Sequence, residues 1–269
     1  MPSDHITHDT CSHPCDPSSS VSQICAFLKD TLAASGALGY VVGISGGLDS
    51  AVVATLLVRS VGADQVTGLF LPSPTTPKKD YGDVASLGSW LRVPIHTFSL
   101  QPVLAGYQEV MNASKVAWGN LTSRIRMNLL YLYANDHHLL VSGTSNKTEW
   151  YTGYFTKYGD NAADVQPIIH LLKDDVYTIA SYLQVPSVFI EKIPSAGLYE
   201  GQTDEADLQM SYATLNAALR SLEQHNWIAE TEDETRVMEL YQSSLHKRLS
   251  PPQISHFTNL SENGGSLHR

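Results

Sequence analysis

Short β-branched apolar runs alternate along the chain with longer stretches in which apolar residues recur every three or four positions. Ile24, Phe27, Leu28 and Leu32 share one helical face within residues 21–33, and Ser35-Gly36 closes that helix. Residues 40–44 are a continuous apolar run of strand length, followed by an apolar helix over 51–58. Residues 65–71 read as a second strand, stopped by Pro72-Ser73-Pro74. Val84, Leu87 and Leu91 share a face in a helix over 80–91; a third strand spans 93–100 and a helix 101–111. Asn120 is placed to cap a helix over 121–134, with Leu121, Ile125, Leu129 and Leu132 as its buried stripe. Residues 138–142 are a fourth strand, and 234–245 a late helix before Pro251-Pro252. Strands alternating with helices imply an α/β domain, a doubly wound parallel sheet flanked by helices. Ligands of such sheets sit outside the carboxyl ends of the strands. Residues 21–269 read as a single domain behind a disordered tail, residues 1–20.

Composition narrows this picture in three ways. At 269 residues the chain is long enough for one sizeable core, and 42% hydrophobic with 16% charged residues is ordinary for a globular protein. No apolar run of about 18 residues predicts a membrane span, and the first residues lack a basic-then-apolar leader, so the expected compartment is the cytoplasm. Cys11, Cys15 and Cys25 all precede the core, which argues against a disulfide framework. His5, His8, Cys11, His13 and Cys15 are metal-ligand types, but Pro, Ser and a near absence of apolar residues favour a tail. The net charge of −10 argues against nucleic acid as a partner.

The first core strand carries the chemistry. It runs into Ser45-Gly46-Gly47-Leu48-Asp49-Ser50 and then directly into a helix. A strand, a glycine pair and a helix start form a phosphate cradle: glycines let backbone N–H groups close on oxygens, and the helix N-terminus attracts anions. Ser45 and Ser50 offer hydroxyls, and Asp49 a carboxylate where magnesium would bridge to phosphate. A tight strand-to-helix turn alone needs neither. The stretch is not G-x-G-x-x-G, and it lacks the lysine of a Walker loop. It resembles the pyrophosphate-binding loop of the N-type ATP pyrophosphatases. That group splits ATP into AMP and pyrophosphate while activating a substrate as its adenylate. An acidic protein that binds a polyanion must gather cations or magnesium at the site, and Lys157 and Lys173 are candidates. Glu149, shortly after Thr144, is placed to complete a magnesium site with Asp49. Residues 143–164 read as an ordered functional loop rather than a packed element. Residues 72–80 and 196–206 read as mobile covers.

Further pieces make the resemblance specific. Residues 45–50, Arg124-Ile125-Arg126-Met127, Gly143-Thr144 with Glu149, Tyr154 to Asp160 with Asp164, Pro194-Ser195-Ala196, Gly201 to Glu205 and His246-Lys247-Arg248 stand in one order across about residues 21–260. They resemble the ammonia-dependent NAD⁺ synthetases. Asn161 and Gly197 depart from that pattern, where a glycine and an aspartate are usual. The resemblance implies an adenine nucleotide alpha hydrolase-like fold and a homodimer. It implies ATP contacts at Gly43, Ile44, Ser45, Gly46, Gly47, Leu48, Asp49, Ser50, Thr144, Lys173 and Ser195, with magnesium on Asp49 and Glu149. Asp49, Lys173 and Ser45 would be catalytic. Arg124, Lys157, Asp164, His246 and Lys247 would contact nicotinic acid adenine dinucleotide, also termed deamido-NAD. Several of these have plain alternatives. Thr144 is a helix-cap type, Arg124, Asp164 and Lys173 can be solvated charges, and His246 and Lys247 suit a helix C-terminus by charge alone. Thr203-Asp204-Glu205 reads as a helix start only and is left outside the site. No stretch suggests glutamine hydrolysis, so free ammonia or a separate donor is the expected nitrogen source. The same cradle also serves GMP synthetases and tRNA-modifying pyrophosphatases, and a nucleotide-binding regulatory module is the non-enzyme reading. The acidic charge opposes the tRNA version.

Overall fold

The computed structural model describes residues 16–195, 197 and 201–252; the five tail metal-ligand types, Ala196 and part of the 196–206 cover lie outside them. Helix α1 (Pro17–Ser35) starts where the Asp16 carboxylate accepts the N–H groups of Ser18 and Ser19, and ends at Gly36. Residues 17–20, expected in the tail, are therefore helical. Strand β1 (Gly39–Gly43) leads to α2 (Leu48–Val61), β2 (Val66–Phe70), α3 (Lys78–Leu91), β3 (Ile95–Thr97), α4 (Gln101–Val110), α5 (Lys115–His137) and β4 (Leu139–Ser142). The remainder is helical: α6 (Lys147–Thr152), α7 (Lys173–Tyr182), α8 (Ser187–Ile190), α9 (Asp204–Leu208), α10 (Tyr212–Gln224) and α11 (Glu232–Ser243), then a 3-10 turn at Leu245–Lys247.

The four strands pair in parallel in the order β3-β2-β1-β4. Strand periodicity sorts the side chains between two layers. Tyr40, Val42, Val66 and Phe70 face a core shared with α1, α2 and α7, whereas Val41, Leu69, Leu71 and Val141 face a second core under α5. Both faces are covered, so β1 and β2 read as continuous apolar runs. Tyr40 is buried in the first layer, and its hydroxyl donates to the Leu28 carbonyl at 2.6 Å; burial pushes its pKa up to about 12. A third apolar cluster joins Leu172 to Leu208, Leu215, Leu219 and Val237, and packs α10 and α11 against α6 and α7. Chain order reverses on either side of β1, so the crevice opens at the carboxyl ends of β1 and β4. Among the described residues no helix is long and apolar enough to cross a membrane.

Four expectations change. The third strand is three residues long, not eight: Pro94 has no N–H to pair, His96 and Thr97 are exposed, and the strand lies at the sheet edge. Helix α5 begins at Lys115 with Ser114 as its cap, so Asn120 lies inside it, where its side-chain oxygen accepts the Thr156 hydroxyl. Leu132, expected in the buried stripe of that helix, is 66% exposed. The late helix stops at Ser243, which puts His246 and Lys247 in the 3-10 turn.

Tyr40→Phe removes one buried hydrogen bond and is expected to cost about 1 kcal/mol. Leu28→Ala, with no exposure to lose, costs about 2–5 kcal/mol through its cavity. Urea unfolding checks both, with lower midpoints at an unchanged slope.

Candidate active site

The loop leaving β1 is built from its own hydroxyls. Ser50 Oγ accepts from the Ser45 N–H at 3.2 Å and donates to the Gly47 carbonyl at 3.0 Å, while the Gly47 N–H donates to Ser45 Oγ at 3.1 Å. These bonds hold Gly46 at φ 78°, a region that strains any residue with a Cβ. Helix α2 starts at Gly47 without a side-chain cap, so its first-turn N–H groups remain available to an anion. The cavity in front of them has a volume of about 580 Å³.

Across the cavity, β4 and the turn after it bring a second set of groups. Asn146 caps α6 and has no exposed surface. Its amide nitrogen donates to Asp49 Oδ1 at 3.1 Å, its amide oxygen accepts the Glu149 N–H at 2.9 Å, and its own N–H donates to Glu149 Oε2 at 3.1 Å. One buried amide therefore ties the two carboxylates together. Lys173, the first residue of α7 and 2% exposed, closes the cluster with an ion pair from Nζ to Asp49 Oδ2. Burial opposes the Lys173 charge, but Asp49 and Glu149 outweigh it and hold the ammonium above the ordinary lysine range. Burial first, and Asp49 next, hold the Glu149 carboxyl well above its usual range. The cluster is thus short of positive charge. Among the described residues no three metal-ligand types stand together. The pair Asp49 and Glu149 nonetheless suits magnesium, which is bound through one or two carboxylates with substrate phosphates completing its shell.

A family model described as NAD synthase matches residues 20–251. The chain belongs to the NAD synthase family. It is 44% identical over 218 residues to an NH(3)-dependent NAD(+) synthetase of Methanoregula boonei, covering 80% of this chain and 88% of that relative. It is 41% identical to the enzyme of the same description from Methanocaldococcus jannaschii, over 86% of this chain and 95% of the relative. Among solved structures it resembles an NMN synthetase from Francisella tularensis (TM-score 0.82, 34% identity, 90% of this chain and 99% of that one). It also resembles an NH3-dependent NAD synthetase from Campylobacter jejuni (TM-score 0.78, 29% identity, 89% and 99%).

For this NAD synthase family member, the structure brings Gly43, Ile44, Ser45, Gly47, Leu48, Asp49, Ser50, Thr144, Glu149, Lys173, Ser195 and Lys247 onto one cavity. Gly46, between two lining residues, does not itself line it. Arg124, Lys157, Asp164 and His246 do not line it. Arg124 Nε donates to the Lys157 carbonyl at 3.3 Å, and Lys157 Nζ to the His246 carbonyl at 2.5 Å, so these three form a string outside the cavity lining. Asp164 accepts the Val141 N–H and the Tyr131 hydroxyl at the edge of β4. Residues 143–164, expected to be a loop, include the capped helix α6.

Sequence reasoning missed several groups. Asn146 carried a signal, because Asn146 and Glu149 stand at capping-box spacing. Asp204, set aside as a helix start, does follow the Thr203 cap, yet it is buried at the cavity wall and accepts the Tyr212 hydroxyl at 2.9 Å. Arg126 lines the cavity with Nε donating to the Leu71 carbonyl at 3.1 Å; burial lowers its pKa and Asp160 opposes that. Lys192 and Asp80 come together only in three dimensions.

The C-terminal turn braces the wall. Lys247 Nζ donates to the carbonyls of Gly153 and Phe155 at 2.7 and 2.9 Å, and Arg248 donates to Trp150 and Tyr151. Gly153 has φ 70°, and a Cβ there would stand 2.0 Å from Ser244 Cβ. Gly153→Ala is expected to lower stability by about 1–3 kcal/mol through overpacking. It should also speed trypsin cleavage after Lys247 and Arg248, which limited proteolysis measures.

Proposed function

We propose that the chain uses ATP to join ammonia to the carboxyl group of nicotinic acid adenine dinucleotide, giving NAD, AMP and pyrophosphate. The observation that carries this reading is the uncapped Ser-Gly-Gly loop, with Asp49 at its end paired to the buried Lys173 and Glu149 beside them, on one cavity. The loop suits the phosphates of ATP, and that Thr144 and Ser195 line the same cavity supports their contact with the nucleotide.

The nicotinate carboxylate is ionised at neutral pH, so its attack on the α-phosphorus needs no base. A carboxylate oxygen bonds to phosphorus, the bond to the bridging oxygen breaks, and pyrophosphate leaves with that electron pair. Ammonia then attacks the acyl carbon, the bond from that carbon to the AMP oxygen breaks, AMP departs with the electron pair, and one proton passes to solvent. The first step joins two anions, so the protein must offset charge. The α2 N–H groups and Lys173 do this on the protein side. Asp49 and Glu149 would hold magnesium, which when bound supplies further charge neutralisation at the phosphate oxygens. Asn146 keeps the two carboxylates in register.

The dinucleotide extends over the cavity mouth toward Arg124, Lys157, His246 and Lys247, with Asp164 at the far edge. The exposed apolar residues Val103, Tyr107 and Val110, which recur at helical spacing on one face of α4, suit the homodimer that the reading implies. The reaction's ATP and dinucleotide place it in the cytoplasm. The likeness to a solved NMN synthetase favours a second reading, in which the acid mononucleotide is the acceptor.

Exchange of labelled pyrophosphate into ATP tests the reading. It is expected to require the acid dinucleotide, with kcat/KM for the dinucleotide well above that for the mononucleotide; the reverse ratio would select the second reading. Asp49→Asn is expected to lower turnover about 10²–10³-fold, the usual cost of one positioned electrostatic contact.

A further inference from the structure

Four cations line the cavity among the described residues: Arg126, Lys173, Lys192 and Lys247. Three are committed away from the phosphate loop's outer side. Lys173 is paired with Asp49, Lys247 holds the carbonyls of Gly153 and Phe155, and Arg126 donates to Leu71. Lys192 alone among them bonds the loop backbone. It follows α8, and its Nζ donates to the Gly46 carbonyl at 2.9 Å and to Asp80 Oδ1 at 2.7 Å.

Two features mark this contact as built. Both side chains close on the glycine: a Cβ at Gly46 would sit 3.3 Å from Asp80 Cβ and 3.4 Å from Lys192 Nζ. The pair is also sheltered, with the Asp80 side chain 6% and the Lys192 side chain 17% exposed. Asp80, on the first turn of α3, is thus a local holder for a cation placed beside the loop. A lysine ammonium has three donors on a flexible stem, two of them used here, and a single carboxylate offers less charge than a triphosphate or pyrophosphate.

We propose that Lys192 is the cation that receives the departing pyrophosphate. Resting on Asp80, it turns its ammonium onto the β,γ end of bound ATP. As the bond between the α-phosphorus and the bridging oxygen breaks, negative charge builds on the β-phosphate oxygen, and Lys192 offsets it. No proton moves, because the ammonium acts by charge and hydrogen bonding. Lys173 serves the inner side of the site and Lys192 the outer. The proposal rests on the ATP-cleaving reading above and adds the leaving-group contact.

Equilibrium binding of inorganic pyrophosphate and of AMP to the full chain, each with magnesium, tests it. Lys192→Met is expected to weaken pyrophosphate at least 10-fold while leaving AMP within about twofold, and Lys192→Arg to recover most of the loss. The double variant Lys192→Met with Asp80→Asn, which removes the stranded carboxylate, keeps the weakness. Asp80→Asn alone frees Lys192 and binds pyrophosphate as well as the parent or better. In turnover, Lys192→Met lowers kcat with little change in KM for the acid dinucleotide. The proposal is overturned if Lys192→Met binds pyrophosphate normally, if it loses AMP and pyrophosphate alike, or if Asp80→Asn alone matches its defect. A parent chain that binds no pyrophosphate would instead overturn the ATP reading itself.

Discussion

The ion pair between Lys173 and Asp49 joins the two halves of the molecule, 124 residues apart in sequence. Asp49 belongs to the first turn of α2, fixed by the strand-loop-helix unit at the sheet centre. Lys173 opens α7, and its backbone N–H donates to Thr148 Oγ1 at 3.0 Å, so α6 is tied to the same point. Taking either charge out of water alone would cost several kcal/mol, which makes the contact an obligatory partnership rather than a surface ornament. Asn146 extends it to Glu149. The Asp49–Lys173–Glu149 cluster is therefore also the seam that registers the helical C-terminal half against the sheet.

That seam explains how a protein of net charge −10 can hold a polyanion. Among the described residues, four of its 17 lysines and arginines line the cavity, where they meet six carboxylates, Asp49, Asp80, Glu149, Asp160, Asp204 and Asp207. Carboxylates within the site have assigned neighbours: Asp49 has Lys173 and Asn146, Asp80 has Lys192, and Asp204 has Tyr212. The site is poised by internal pairs that a phosphate can exchange into, and local arrangement rather than net charge decides the partner.

The sheet and its flanking helices were legible because β1 and β2 are buried on both faces and read as apolar runs, because α1 and α3 keep a clean helical face, and because α2, buried nearly all round, is apolar throughout. The phosphate loop was legible because its glycines and hydroxyls are contiguous. Elements set by tertiary contact were not. Helix α5 starts five residues before Asn120 because Ser114 caps it. The third strand shrinks because it lies at an edge with Pro94. Lys192, Asp80 and Arg126 have no local signature; only the crossing of α3, α5 and the segment after α8 makes them neighbours of the loop. Asp204 shows the opposite failure: its position at a helix start was read correctly, and the cavity wall it also forms could not be seen from spacing.

The central claim is that the cavity presents the α-phosphorus of ATP to a carboxylate, with the pyrophosphate end held by the loop. Single turnover with nicotinic acid adenine dinucleotide carrying oxygen-18 in both carboxylate positions tests it most directly. Mass spectrometry of the products should find one labelled oxygen in AMP, one in the amide carbonyl of NAD and none in pyrophosphate. AMP free of label would contradict the account.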